Sequence, residues 1–235
     1  MKSLPLRVLT PAVALLALGA CSSSPSTAPP APGDNASEQT ATSSYEVKDD
    51  VSVVEVDSEG GAITIKAGSG PTIKVTEIQR YKSDKPGRQQ SLDGGELVLA
   101  STGCKNNDCS ISYEVEMPST LTARLDSSGG MITLTALTGI IDVQSDGGVL
   151  SGDGLAPPEL TARTGGGPVD LKVTQAPDRI DIDSGGGNVN LRLTSDGYAL
   201  QAELDGGKQT GTVKADAGSV HKVHVVTGGG NLTFI

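Results

Sequence analysis

The sequence has no tryptophan, one phenylalanine, four tyrosines and two histidines in 235 residues. A site that cleaves carbohydrate grips sugar rings on aromatic faces, and this chain has almost none to offer. The two histidines, His221 and His224, lie three apart. On a strand such residues point to opposite faces, so that strand cannot bring both to one metal or make them an acid–base pair. No Ser or Cys sits beside them in a recognisable nucleophile turn, and a hydrolase triad has no support. No stretch has the period of a long amphipathic helix, which leaves an all-β reading. Basic residues are also short: 18 Lys and Arg stand against 28 Asp and Glu, for a net charge of −10. Without Lys2 and Arg7 of the leader described below, the charge is −12, from 16 basic and 28 acidic residues. That balance argues against nucleic acid, whose phosphates call for a basic face, and against a polybasic grip on anionic lipid.

What the chain has in plenty is glycine, 31 residues of it, and the glycines are ordered. Through 119–235 an apolar pair spaced by two is followed by Ser, Thr or Asp, then a glycine run, then another apolar pair. The first pairs are Ala123/Leu125, Ile141/Val143, Leu160/Ala162, Ile180/Ile182, Ala202/Leu204 and Val223/Val225. Counted from the second member, the steps are 18, 19, 20, 22 and 21 residues. A period near 20 with two strands per repeat is the signature of a stacked β-solenoid, single-stranded and β-helix-like. Alternation as in Ile180-Asp181-Ile182-Asp183 sends aliphatic side chains inward and polar ones outward. Glycine turns the chain sharply and lets neighbouring coils approach. At ~4.8 Å per coil, about six coils make a stack of roughly 25–30 Å. A β-sandwich also has short alternating strands, but its turns recur every 8–12 residues, and the longer fixed period favours the solenoid.

The N-terminus reads as an export signal. Lys2 and Arg7 give a positive start, and Val8–Ala20 is an apolar run too short to span a bilayer comfortably. It ends Leu18-Gly19-Ala20-Cys21, which resembles the cleavage site of a bacterial lipoprotein signal, with Gly where Ala, Ser or Thr is more usual. The resemblance implies a signal peptide over 1–20, cleavage before Cys21, and acyl chains that hold Cys21 to the membrane. Residues 21–44 are nearly all Ser, Thr, Ala and Pro and cannot bury a core. They are expected to form a disordered tether that could reach up to roughly 70 Å in polyproline conformation.

The folded domain is expected over 45–235. Its first part, 45–118, is less regular, with strands expected at Val51–Asp57, Ala62–Ala67, Thr72–Tyr81, Glu96–Ala100 and Ser110–Met117 and a solvated loop at Lys82–Gln90. This half reads as antiparallel hairpins that cap the stack, because an open end exposes unpaired backbone. Cys104 and Cys109 enclose the polar Lys105-Asn106-Asn107-Asp108. In an exported protein such a pair is most simply a disulfide, and no nearby His or C-x-x-C spacing supports a metal or redox site. The chain stops on Leu232, Thr233, Phe234 and Ile235 with no polar cap after them. Either an earlier strand covers this rung, or it presents a free edge to a partner or a second copy.

Asp126, Asp142, Asp146, Asp153, Asp170, Asp181, Asp183 and Asp205 are the remaining candidates for chemistry, since paired carboxylates can hydrolyse glycosides. They recur at outward or turn positions fixed by the repeat, where Asp bonds nearby backbone N–H groups. Ser151-Gly152-Asp153-Gly154 alone does not make the serial nonapeptide of a calcium-binding β-roll. No cofactor is expected.

Two stretches carry a family resemblance: Tyr113-Glu114-Val115-Glu116-Met117-Pro118, and Leu125-Asp126-Ser127-Ser128-Gly129-Gly130 with the Ser/Thr-Gly-Gly-Gly repeats after it. With these, Tyr45–Ile235 resembles the bacterial "putative adhesin" family of extracytoplasmic β-solenoid ectodomains, related to the "toastrack" domains of envelope-stress systems. The resemblance implies a surface-exposed solenoid with no catalytic residues to carry over. The expected function is a non-enzymatic envelope lipoprotein that binds or scaffolds, with a wall polymer or an envelope protein as partner. The alternatives are an accessory of envelope-stress sensing that acts through a membrane partner, and a carbohydrate-active β-helix enzyme.

Overall fold

The computed structural model describes residues 37–235. The signal sequence, Cys21 and most of the tether lie outside the described residues.

Among the described residues the regular structure is all strand. In chain order the strands are β1 (Gln39–Val47), β2 (Val53–Asp57), β3 (Ile63–Ala67), β4 (Ile73–Tyr81), β5 (Arg88–Asp93), β6 (Glu96–Ser101) and β7 (Cys109–Met117). The regular repeats follow as β8 (Thr122–Ser127), β9 (Ile132–Thr135), β10 (Ile141–Ser145), β11 (Leu150–Leu155), β12 (Glu159–Thr164), β13 (Val169–Val173), β14 (Arg179–Ser184) and β15 (Val189–Arg192). The last are β16 (Ala199–Leu204), β17 (Gln209–Thr210), β18 (Lys222–Thr227) and β19 (Leu232–Phe234).

They form two sheets that share one core. The ten-stranded sheet runs β1-β4-β7-β3-β9-β11-β13-β15-β19-β17, and the nine-stranded sheet runs β16-β18-β14-β12-β10-β8-β2-β6-β5. Each coil places one strand in each sheet, and neighbouring coils pair in parallel. Ile141 registers with Leu160 and Leu160 with Ile180, so the aliphatic row stacks as the repeat requires. These side chains are 0–1% exposed, and the architecture is β-solenoid-like.

The coils do not stack in chain order. The β2–β3 coil lies between β6–β7 and β8–β9, and the β18–β19 coil lies between β14–β15 and β16–β17. The first half is therefore only partly antiparallel: β1, β4 and β5 pair that way, while β2 and β3 are members of the parallel stack. Two strands fall where none was expected. β1 begins at Gln39, inside the stretch read as tether, and β5 takes Arg88, Gln89 and Gln90 out of the expected loop. All of β5 is exposed, as is the start of β1. Edge strands like these are held by backbone pairing and need no apolar alternation to betray them.

The corners explain the glycines. A Cβ on Gly130 would sit 1.9 Å from the carbonyl oxygen of Gly61, and one on Gly148 1.9 Å from that of Gly130. Gly167, Gly187 and Gly230 continue the column, each meeting the preceding glycine oxygen at 1.9–2.0 Å. None of these glycines has positive φ. They are required for the close approach of stacked corners, and the sharp turn itself does not demand them. Three residues before each stands a buried hydroxyl: Ser58, Ser127, Ser145, Thr164, Ser184 and Thr227. Ser58, Thr164, Ser184 and Thr227 donate to the carbonyls of Gly61, Gly167, Gly187 and Gly230 at 2.7–3.2 Å. The Ser145 hydroxyl accepts from the Gly148 N–H at 3.1 Å. Each corner thus satisfies its own buried backbone group.

Candidate functional site

A buried carboxylate lies where the antiparallel strands flank the stack. Ile73, Val75 and Glu77 alternate onto the inward face of β4, and the phase that buries the two aliphatics also buries Glu77, at 2% exposed. Its carboxylate accepts hydrogen bonds from the Tyr45 hydroxyl at 2.8 Å, Arg88 at 2.8 Å and the Ser43 hydroxyl at 3.4 Å. Tyr45 and Ser43 come from β1, whereas Arg88 reaches across from β5 in the other sheet. The cluster therefore clasps the two sheet edges together. The Tyr113 hydroxyl, also buried, has no hydrogen-bond partner. Burial and then the neighbouring Glu77 push both the Tyr45 and Tyr113 phenols well above the usual tyrosine range. The hydrogen bond to Glu77 likewise raises Arg88. Both phenols therefore stay protonated at neutral pH, and the cluster presents donors and one satisfied carboxylate. An open recess of about 440 Å³ beside it is lined by Thr42, Ser43, Gln79, Lys85 and Arg88.

The outward face of the nine-stranded sheet carries charge in columns. One column runs Glu55–Arg124–Asp142–Thr161–Asp181–His224, and the next runs Asp57–Asp126–Gln144–Arg163–Asp183. Unlike neighbours pair, as in Arg163 with Asp142 at 3.7 Å. Asp126 faces Asp57 without a cation between them. Burial, then the charges of Asp57 and Asp146, push its carboxyl above the usual aspartate range. Asp181 goes the other way: burial acts to raise it, but hydrogen bonds from Arg179 and His224 hold it below that range. Among the described residues no group of three or more His, Cys, Asp and Glu is placed to hold a metal ion.

The residues singled out from sequence are dispersed. Cys104 and Cys109 are joined as a disulfide at the polar tip before β7. His221 rests its Nδ1 2.9 Å from the Pro177 carbonyl, while His224 lies 3.1 Å from Asp181, so the two serve different partners. Asp153 sits at a bulge in β11 and pairs with Lys172 at 3.1 Å. The C-terminal rung is not an edge: β19 is paired on one side with β15 and on the other with β17. Of the two alternatives for Leu232–Ile235, the covered rung is the one found: the chain lays the earlier strands β16–β17 outside β18–β19, and the partner edge at Leu232, Thr233, Phe234 and Ile235 is corrected. At that end of the stack the nine-stranded sheet closes on β16, which pairs with β18 alone, and the ten-stranded sheet on the two-residue β17. The Glu77 clasp escaped the sequence reading, although a carboxylate on the apolar phase of β4 was its signal.

The fold defines an all-β, parallel-rich, solenoid-like domain. It is similar to the crystal structure of a "putative cell adhesion protein" from Clostridium sporogenes, with a TM-score of 0.50 at 14% identity, over 83% of this chain and 99% of that one. A "putative adhesin" from Bacteroides fragilis aligns with a TM-score of 0.48 at 15% identity, over 85% of this chain and 99% of that one. The likeness read from the sequence motifs is thus met at the level of fold. No protein-family model matches the chain, and no curated protein matches it in sequence.

Proposed function

We propose that this protein is a non-enzymatic lipoprotein of the cell envelope, anchored through acyl chains on Cys21. The Ser/Thr/Ala/Pro-rich segment holds a solenoid-like domain away from the membrane, with the antiparallel strands as its cap. The domain binds or scaffolds, and its partner is a wall polymer or another envelope protein. The observation that carries this reading is the fold shared with the clostridial putative cell adhesion protein over nearly that protein's whole length. The outward rows of mixed charge and the disulfide-closed tip support it, since disulfides persist in exported proteins. Cell fractionation of the full chain and its Cys21→Ser variant tests the anchor: wild type partitions with membranes, the variant into the soluble fraction. Equal partitioning of the two would end the lipoprotein reading. Affinity capture on purified wall polymer and from crosslinked membranes then separates a polymer ligand from a protein partner.

A further inference from the structure

The open strand β16 has features that its neighbours lack. The N–H groups of Ala199 and Asp205 reach the carbonyls of His221 and Thr227 at 2.9 Å, so the odd-numbered residues of β16 bond inward to β18. By the alternation of a strand, the N–H and C=O groups of Leu200, Ala202 and Leu204 face away from the stack. Tyr198 has the same outward phase, but its groups are already used: its N–H donates to Lys214 O and its carbonyl accepts from Asp216 N, both at 2.9 Å. The chain supplies its own partner as far as Tyr198 and then stops. The side chains of Leu200, Ala202 and Leu204 are only half-buried, whereas Val223 and Val225 beside them are at 1% and 0%. Leu204 also stands in register with Thr227, the position of the buried corner hydroxyl in the other coils. An apolar side chain replaces that hydroxyl on the coil whose outer side has no further coil stacked on it.

We propose that β16 is a homodimerisation strand, pairing antiparallel with β16 of a second copy about a two-fold axis at Ala202. The segment Leu200-Gln201-Ala202-Glu203-Leu204 is self-complementary in that register. Leu200 meets the partner's Leu204, Ala202 meets the partner's Ala202, and Gln201 offers its amide to the partner's Glu203 carboxylate. All the outward backbone groups of Leu200, Ala202 and Leu204 fall into hydrogen-bonded pairs, and the aliphatic row continues from one core into the other. The neighbouring registers fail. An axis at Gln201 needs the backbone of Tyr198, which Lys214 and Asp216 occupy. An axis at Glu203 sets two glutamates directly opposite, which repel. Shifts of one residue put the inward row on the outer face. Isologous pairing of this kind closes at two subunits.

An Ala202→Cys variant of the full chain, expressed in its native cells and run on a non-reducing gel, reads the axis directly. Hydrogen-bonded antiparallel partners have Cα atoms ~5.5 Å apart, within disulfide reach. Residue 204 of each copy would lie about 14 Å from its own counterpart, out of reach. The expected result is a reducible dimer for Ala202→Cys that wild type and Leu204→Cys do not give. A monomeric Ala202→Cys chain whose thiol still accepts maleimide overturns the proposal, as does equal crosslinking of Leu204→Cys. Sedimentation velocity of the purified chain in detergent gives a second reading. Wild type should dimerise, and Ala202→Pro, which removes an outward N–H that β18 does not use, should be monomeric, still folded, and melt at a temperature that no longer depends on protein concentration. A monomeric wild type, or a dimer that survives Ala202→Pro, overturns it too.

Discussion

The Ser184 hydroxyl donates a 2.9 Å hydrogen bond to the carbonyl of Gly187, three residues on. Gly187 in turn packs so closely on Gly167 that a Cβ would lie 2.0 Å from its carbonyl oxygen. The corner is held by these two requirements together. A Gly187→Ala chain should lose about 3 kcal/mol or more, because the backbone beneath has nowhere to move without breaking register. Gly186, one residue earlier, has nothing within 4 Å of its would-be Cβ. Gly186→Ala should therefore change stability by no more than ~0.5 kcal/mol. Chemical denaturation of the two variants measures the contrast, and equal effects would refute the close-approach account.

Removing the hydroxyl tests the other half of the corner. Ser184→Ala leaves a buried carbonyl with one partner fewer and should cost about 1 kcal/mol. Ser127 is bonded to Gly130 in both directions, accepting at 2.9 Å and donating at 3.3 Å. Ser127→Ala should therefore be the costlier of the two, at about 2 kcal/mol. Thermal or denaturant melts rank them.

The repeat was legible in the sequence because its physics is local and periodic. Alternation named the inward residues, and the constant spacing of apolar pair and glycine run named the corners. The Ser/Thr-x-x-Gly relation was also in plain view, yet the need for glycine at its end comes from a contact between coils that one coil does not display. What the sequence hid was coil order. Val223 and Val225 look like any other inward pair, and nothing local says that their strand inserts between β14 and β16. The same holds for β1, whose Ser- and Thr-rich residues pair by backbone with β4. Composition read them as tether, and long-range pairing made them sheet.

Glu77 joins three strands from two sheets, so its loss should be felt beyond its own strand. Truncating Glu77 takes the common acceptor from Tyr45, Ser43 and the half-exposed Arg88 at once, and Glu77→Ala should cost about 3 kcal/mol. Arg88 is half-exposed, and its removal leaves Glu77 the Tyr45 and Ser43 hydroxyls. Arg88→Ala should cost less, about 2 kcal/mol. A double-mutant cycle with coupling near zero would show that the two sheet edges are held by something else.

The disulfide closes a short loop at a polar tip, so its effect should be local. Replacing Cys104 and Cys109 together with Ser should cost about 2 kcal/mol, the low end for such bonds, since a short loop restrains little unfolded-chain entropy. Hydrogen exchange should rise around 104–109 and the adjoining end of β7, and stay unchanged in β10–β15. Global loosening would mean that the tip organises the core.

Two carboxylates on the same face should report opposite pH dependences. Asp126 has a raised pKa, so folding favours its protonated form. Its contribution is present below the ordinary aspartate value of ~3.9 and is lost as pH rises through the folded value. Asp181 has a lowered pKa; its contribution is present above the ordinary value and is lost as pH falls through the folded one. Asp126→Asn should therefore raise stability at neutral pH by about 0.5 kcal/mol and converge on wild type near pH 3. Asp181→Asn should lower it by a similar ~0.5 kcal/mol at neutral pH, since Arg179 and His224 lose their anion, and converge at acid pH as well. Melting temperatures across this range decide the matter. A destabilised Asp126→Asn at neutral pH would show that Asp57 and Asp146 do not repel Asp126, and that the acidic column is held by contacts stronger than its own charge.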